Sequence, residues 1–243
     1  MDHARLPDPV VIDRSSEVLT FTLNNANAGN EVTAPMFDAM IAALRSEATG
    51  PTARVLRIRA RGDVFCTGRE RAGTDAGSIH REVSRLIELK RLLRASSMIT
   101  IAEVQGNAFG FGFGLAILCD FTLVSSSARL AFPEMRKGLP PAAIMAYLGR
   151  YGLPKQVFPM VLFGDAITPE TALSAGLVTR ICSPDTLQAE ADSLLDRILA
   201  LDDIGARQCK SFFQTAEESS LEHNFRCATE TLTVSALRLM ALR

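Results

Sequence analysis

Five residues, Gly110-Phe111-Gly112-Phe113-Gly114, lie between an apolar strand-like run, Ile99 to Val104, and an apolar helix-like run, Leu115 to Cys119, that ends at Asp120. Three alternating glycines where a strand meets a helix let the backbone approach another group closely, because no Cβ blocks a positive φ or a tight contact. The first N–H groups of the following helix have no intrahelical partners and carry the positive end of its dipole. Such a spot suits a developing negative oxygen. The spacing matches neither a dinucleotide fingerprint nor a P-loop, and on its own the run reads first as close helix packing. Downstream, Pro133-Glu134-Met135 reads as a helix start, where proline and a first-turn acid are favoured without any chemistry.

Composition bounds the partners. The 243 residues carry a formal net charge of −1 with dispersed basic residues, which argues against a nucleic-acid groove or a polybasic membrane patch. At 47% hydrophobic content the chain is long enough for one full core or a core with a small appendage. Cys66, Cys119, Cys182, Cys209 and Cys227 form neither metal-ligand pairs nor an even framework, which fits reduced thiols in a cytoplasmic setting. Met1 to Pro9 is polar and does not read as a leader, and no apolar run reaches the roughly 18 residues of a membrane span.

The elements that must position these residues alternate in type. Val18 to Leu23, Val55 to Ile58, Ile99 to Val104 and Phe121 to Val124 read as strands. Asn24 to Asn30 is turn-forming, and Thr33 with Pro35 opens a helix carrying Met36, Met40, Ile41 and Leu44 at helical spacing. Ile79 to Leu93 is an amphipathic helix whose Arg81, Glu82, Arg85, Glu88 and Arg91 form a solvated face with i,i+3 and i,i+4 pairs. Short helices follow from 141 to 181, then helices over Leu187 to Leu201 and Leu221 to Leu242. The alternation argues for α/β layering with right-handed crossovers, followed by a helical tail.

Several segments resemble the enoyl-CoA hydratase/isomerase, or crotonase, family. They are Ala28-Gly29-Asn30; Phe65-Cys66-Thr67-Gly68; Gly106-Asn107-Ala108-Phe109-Gly110-Phe111-Gly112 with Leu115-Ala116 and Cys119-Asp120; Ala131-Phe132-Pro133-Glu134 with Gly138-Leu139; and Gly164 through Ala172 with Ala175-Gly176-Leu177-Val178. They fall in the family's order at close to its spacings, over roughly residues 15 to 182. The resemblance implies a crotonase-like ββα spiral core, here residues 1–185, with a helical C-terminal region, 186–243, for oligomerisation or as a lid. That region is expected to be shorter than usual, and assembly is expected as homotrimers or dimers of trimers.

The chemistry implied is enolate formation on a coenzyme A thioester, with coenzyme A part of the substrate and no resident cofactor or metal. The carbonyl oxygen would be held by the backbone N–H groups of Arg69 and Phe111, a preorganised hole whose individual donors are worth about 2.7 to 4 kcal/mol in comparable enzymes. Glu134 falls on one of the family's two acid/base positions. The other, six residues before Asp120, is Gly114. One carboxyl group can move a proton between carbons, so isomerisation of a double bond is favoured; the alternatives are hydratase or lyase chemistry on an unusual acyl chain, or a non-catalytic acyl-CoA-binding protein. Desolvation by Phe111, Phe113 and Met135 is expected to raise the Glu134 pKa toward working pH. Coenzyme A recognition maps to Ala28, Asn30 and Cys66, and pocket shape to loop 70–79, Pro140 to Tyr147 and the helical tail. The Arg69 guanidinium either meets an acyl carboxylate or lines the pocket mouth.

Other reactive types read blandly. Cys66 has no histidine near it in sequence and is expected to be a buried thiol. His3, His80 and His223 show no ligand spacing, and Ser125-Ser126-Ser127 lacks the flanking glycines of a nucleophile elbow.

Overall fold

The computed structural model describes residues 8–241, so His3, most of the Met1 to Pro9 segment and Leu242 fall outside it. The chain begins with strands β1 (Val10–Ser15) and β2 (Val18–Leu23), helix α1 (Ala34–Thr49), then β3 (Val55–Ala60), β4 (Val64–Cys66) and α2 (Ala76–Ala95). Next come β5 (Ile99–Val104), β6 (Asn107–Phe109), α3 (Phe111–Ile117), β7 (Phe121–Ser125) and β8 (Leu130–Ala131). A 3₁₀ turn at Pro133–Lys137 leads to α4 (Ala142–Leu148), α5 (Pro154–Phe163), α6 (Pro169–Ser174) and β9 (Arg180–Cys182). Helices α7 (Leu187–Leu199), α8 (Asp203–Ala216) and α9 (Leu221–Ala241) complete the chain.

The strands form two sheets. Six pair in the order β1-β2-β3-β5-β7-β9, parallel except for the β1–β2 hairpin, and three form a small parallel sheet in the order β4-β6-β8. After the β1–β2 hairpin and α1, each successive pair, β3 and β4, β5 and β6, β7 and β8, gives its first strand to the large sheet and its second to the small one before a helical segment. This is the ββα spiral. Strands β2 and β5 are buried along nearly their whole length, as expected of strands covered on both faces.

One face of the large sheet and the small sheet share the main core, with Phe21, Phe65, Phe113 and Phe132 almost inaccessible. The other face is covered by α7, where Leu187, Ala191 and Ile198 pack on Val55, Ile101 and Leu123. Arg57 joins the two layers, 2.6 Å from Glu103 on β5 and 2.8 Å from Asp192 on α7. Asp120 accepts from Thr100 N and Oγ1 at 2.7 and 2.9 Å and from Lys210 Nζ at 2.7 Å. That carboxylate therefore anchors α8 to the sheet.

Two readings change. The glycine run is not a turn ahead of a helix: Gly110 caps α3, while Gly112 and Gly114 lie inside it. The charged face of α2 pairs with other elements, Arg85 with Asp38, Glu88 with Arg45 and Glu82 with Arg69. The expected pairs within the helix give way because α1 packs alongside α2 and offers closer opposite charges.

Candidate active site

Three segments leave the three strands of the small sheet at the same end. Residues 67–69 follow β4, the Gly110 cap and Phe111 follow β6, and Phe132 to Glu134 follow β8. Neighbouring parallel strands lie about 4.8 Å apart, so the sheet brings groups distant in sequence to one place.

The Arg69 amide is aimed by a backbone bridge. Val32 N donates to Gly68 O at 3.1 Å and Glu70 N donates to Val32 O at 3.0 Å. With its two neighbours tied to Val32, the N–H of Arg69 itself faces away from that bridge and has no partner among the described residues. The Phe111 amide is the first of α3 and cannot bond within the helix. Both residues line one cavity of about 680 Å³.

The glycines permit the convergence. A Cβ on Gly112 would stand 2.4 Å from Cys66 O, so only glycine lets the start of α3 press against the end of β4. At Gly110, with φ +51° and ψ −115°, a Cβ would stand 2.7 Å from Glu134 Oε1. The carboxyl group thus lies directly on the Gly110 backbone, beside the Phe111 amide.

Glu134 is held in the 3₁₀ turn after Phe132, whose ring stacks on Phe113 at 4.9 Å. Its Oε2 is buried without a hydrogen-bond partner, a state that costs free energy. Burial pushes the carboxyl pKa above its ordinary value; its own backbone N–H and the charges of Arg71, Lys90 and Arg69 pull it partly back. A base of this kind, beside unpaired amides in a largely apolar cavity, can take a proton from a carbon next to a carbonyl.

The structure brings Arg69, Phe111 and Glu134 to this cavity. Ala28, Asn30 and Cys66 do not line it. Ala28 is exposed, while the buried Asn30 amide donates to Arg61 O and Val64 O at 2.9 and 2.7 Å. Cys66 is fully buried, its thiol donates to Gly68 O at 3.2 Å, and burial pushes its pKa up to about 12. Phe113 and Met135 also lie outside the lining; its apolar residues include Phe111, Leu86, Ile79, Val83, Leu139 and Ile144. The Arg69 guanidinium lines the cavity and pairs with Glu82 at 3.4 Å.

A model of the family described as enoyl-CoA hydratase/isomerase matches residues 13–236. The chain belongs to that family. Among curated relatives, 2,3-dehydroadipyl-CoA hydratase of Escherichia coli K12 is 26% identical over 235 residues, spanning 93% of this chain and 90% of its own length. Carnitinyl-CoA dehydratase of Salmonella arizonae is 30% identical over 223 residues, spanning 88% and 84%. The crystal structure of an enoyl-CoA hydratase from Mycobacterium smegmatis superposes with a TM-score of 0.88 at 25% identity, over 93% of this chain and 90% of that one. A Thermobifida fusca YX protein solved in complex with CoA superposes with a TM-score of 0.86 at 24% identity, over 97% and 95%.

This hydratase/isomerase family member also carries a cavity residue that the sequence reading passed over. Lys90 on α2 is 6% exposed and lines the cavity, with its Nζ 2.7 Å from Tyr147 Oη on α4. Tyr147 in turn donates to Gly114 O at 2.8 Å. The signal was available: Lys90 falls in the apolar stripe Leu86, Leu89, Leu93 of α2, where the helical period places a buried side chain.

Proposed function

We propose that the chain acts on enoyl thioesters of coenzyme A by forming an enolate, and that double-bond isomerisation is its principal reaction. Coenzyme A arrives as part of the substrate. The N–H groups of Arg69 and Phe111 hold the thioester oxygen as it becomes negative. Glu134 takes a proton from the α-carbon, and protonation of the γ-carbon completes the shift of the double bond. A single carboxyl group is able to perform both transfers. The observation that carries this reading is the half-buried Glu134 side chain, its Oε2 buried without a hydrogen-bond partner and its Oε1 against Gly110, in the cavity that residues 69 and 111 also line.

A second reading, hydration of an unusual enoyl chain, is favoured by the relatives named as hydratases, including the Escherichia coli protein. Incubation of 2-enoyl and 3-enoyl thioesters in deuterated water separates the two. Isomerisation places deuterium on carbon without adding the mass of water; hydration adds it. Glu134→Gln is expected to remove turnover while leaving the fold intact. Full turnover by that variant would end the role assigned to Glu134, and binding without turnover or exchange across the whole panel would leave a non-catalytic acyl-CoA-binding protein.

A further inference from the structure

The reaction proposed above needs a proton delivered to a carbon remote from the thioester, and the position of a second family carboxylate is Gly114. The space at Gly114 is taken. A Cβ there would meet Tyr147 Oη at 2.6 Å, Ile144 Cγ1 at 3.1 Å and Lys90 Nζ at 3.3 Å. A glutamate at 114 and the Lys90–Tyr147 pair are therefore mutually exclusive occupants of one spot. Gly110 and Gly114 are four residues apart, about 6 Å along the helix axis, and Gly114 N donates to Gly110 O at 3.0 Å. Glu134 stands over the first of these glycines and Lys90 over the second.

An ammonium group has three donors. Lys90 directs one to Tyr147 Oη and a longer one, 3.4 Å, to Ala143 O. No carboxylate pairs with it among the described residues, one donor is left without a partner there, and Lys90 lines the cavity. Tyr147 uses its own proton on Gly114 O, so its lone pairs are left to hold the amine. The Lys90 nitrogen also sits 5.8 Å from the Phe111 ring centroid, and both residues line the same cavity.

We propose that Lys90 is the second proton carrier of this site, held by Tyr147 in the place of a second carboxylate, and that it protonates the remote carbon of the enolate. The inference rests on the enolate reading above. In the first step the Cα–H bond breaks, an O–H bond forms on Glu134, and the electron pair enters the dienolate. In the second, an N–H bond of the Lys90 ammonium breaks and a C–H bond forms at the γ-carbon, leaving a neutral amine. After the product leaves, Glu134 gives its proton to solvent water and the Lys90 amine takes one up from solvent, so both groups return to their starting forms. Burial lowers the Lys90 pKa to about 7, against the opposing pull of Glu134, which suits a group that must give and regain a proton near neutrality. The other charged or titratable side chains facing this space are Tyr147, Glu31, Arg69, Arg71, Glu82, Glu134 and Lys137.

The test uses a 3-enoyl thioester carrying deuterium at its α-carbon, in ordinary water, with the intact protein and Lys90→Met. The wild type is expected to place solvent hydrogen at the γ-carbon, with kcat/KM falling as pH rises through about 7. Lys90→Met is expected to be at least 30-fold slower at pH 7, to lose that alkaline limb, and to carry deuterium to the γ-carbon in its residual product. Lys90→Arg restores charge but not a neutral-range proton, so it is expected to remain slow. Tyr147→Phe keeps the amine but loosens it, moves the limb, and serves if Lys90→Met does not fold. Wild-type rate or an unchanged alkaline limb in folded Lys90→Met, or an unmoved limb in Tyr147→Phe, overturns the proposal while leaving Glu134 and the amides in place. A wild-type enzyme that turns over no enoyl thioester overturns both readings.

Discussion

Replacing Gly110 by alanine puts a methyl carbon 2.7 Å from Glu134 Oε1, where ordinary contact begins at 3.4 Å, so the carboxyl group has to retreat by about 0.7 Å. The backbone itself, at φ +51° and ψ −115°, is in a region that a side chain enters only at a cost of about 1 to 3 kcal/mol. For a chain of this size that range corresponds to a fall in Tm of about 2 to 12 °C, because each kcal/mol moves Tm by roughly 2 to 4 °C. The catalytic loss is larger than the structural one. A displacement near 1 Å can cost about 10²-fold in rate, so Gly110→Ala is expected to lower kcat by about 30- to 100-fold. The groups that bind the thioester elsewhere are untouched, and KM is expected to change by less than about threefold. Steady-state kinetics on an enoyl thioester, beside a thermal melt of the same sample, separates the two effects. A folded Gly110→Ala protein with kcat within about threefold of wild type would refute the claim that this glycine seats the reacting carboxyl group.

The Lys90 ammonium is disfavoured in the folded state, with its pKa near 7 against roughly 10.4 in the unfolded chain. The unfolded state therefore binds the extra proton between those values, and Lys90 contributes a destabilisation that is complete below pH 7 and relieved as pH rises toward 10. The stability advantage of Lys90→Met over wild type is expected to shrink by several kcal/mol across that window; a gap independent of pH in urea unfolding would contradict it. Gly112→Ala is expected to be the most damaging of the α3 substitutions, since its Cβ meets backbone, Cys66 O at 2.4 Å, rather than a mobile side chain. Such overpacking costs about 1 to 3 kcal/mol or more, and soluble yield with a melt measures it. Cys66, buried and with its thiol pKa pushed up to about 12, is expected to resist alkylation in the native protein at pH 8, while the exposed Cys209 reacts; peptide mass mapping distinguishes them.

The long elements were legible because their periodicities are strong. β2 and β5 are bounded by the residues that mark them in sequence, and α1 begins after Thr33 with proline in its first turn. The small sheet was not. Its strands run two or three residues, and their pairing, such as Ala108 with Leu130, joins positions far apart in sequence, so no local pattern announces them. The glycine run was legible as a close approach, but whether its glycines precede or enter the helix depends on Cys66 O and Tyr147 Oη, which belong to other elements. Glu134 could be picked out as an acid, and Arg69 and Phe111 came from motif register alone. Lys90 was hidden for a different reason: α2 carries charges on most of its surface, and one lysine among leucines stands out only when the buried stripe is drawn first.

The three short parallel strands act as a gauge. Because the segments bearing Arg69, Phe111 and Glu134 all depart from the same end of one small sheet, their mutual spacing is inherited from backbone ladder bonds rather than from side chains adjusting one at a time. A partial opening of that sheet would disperse all three together while the six-stranded body stayed intact. In mild denaturant, catalysis should vanish as a unit ahead of the loss of helical signal.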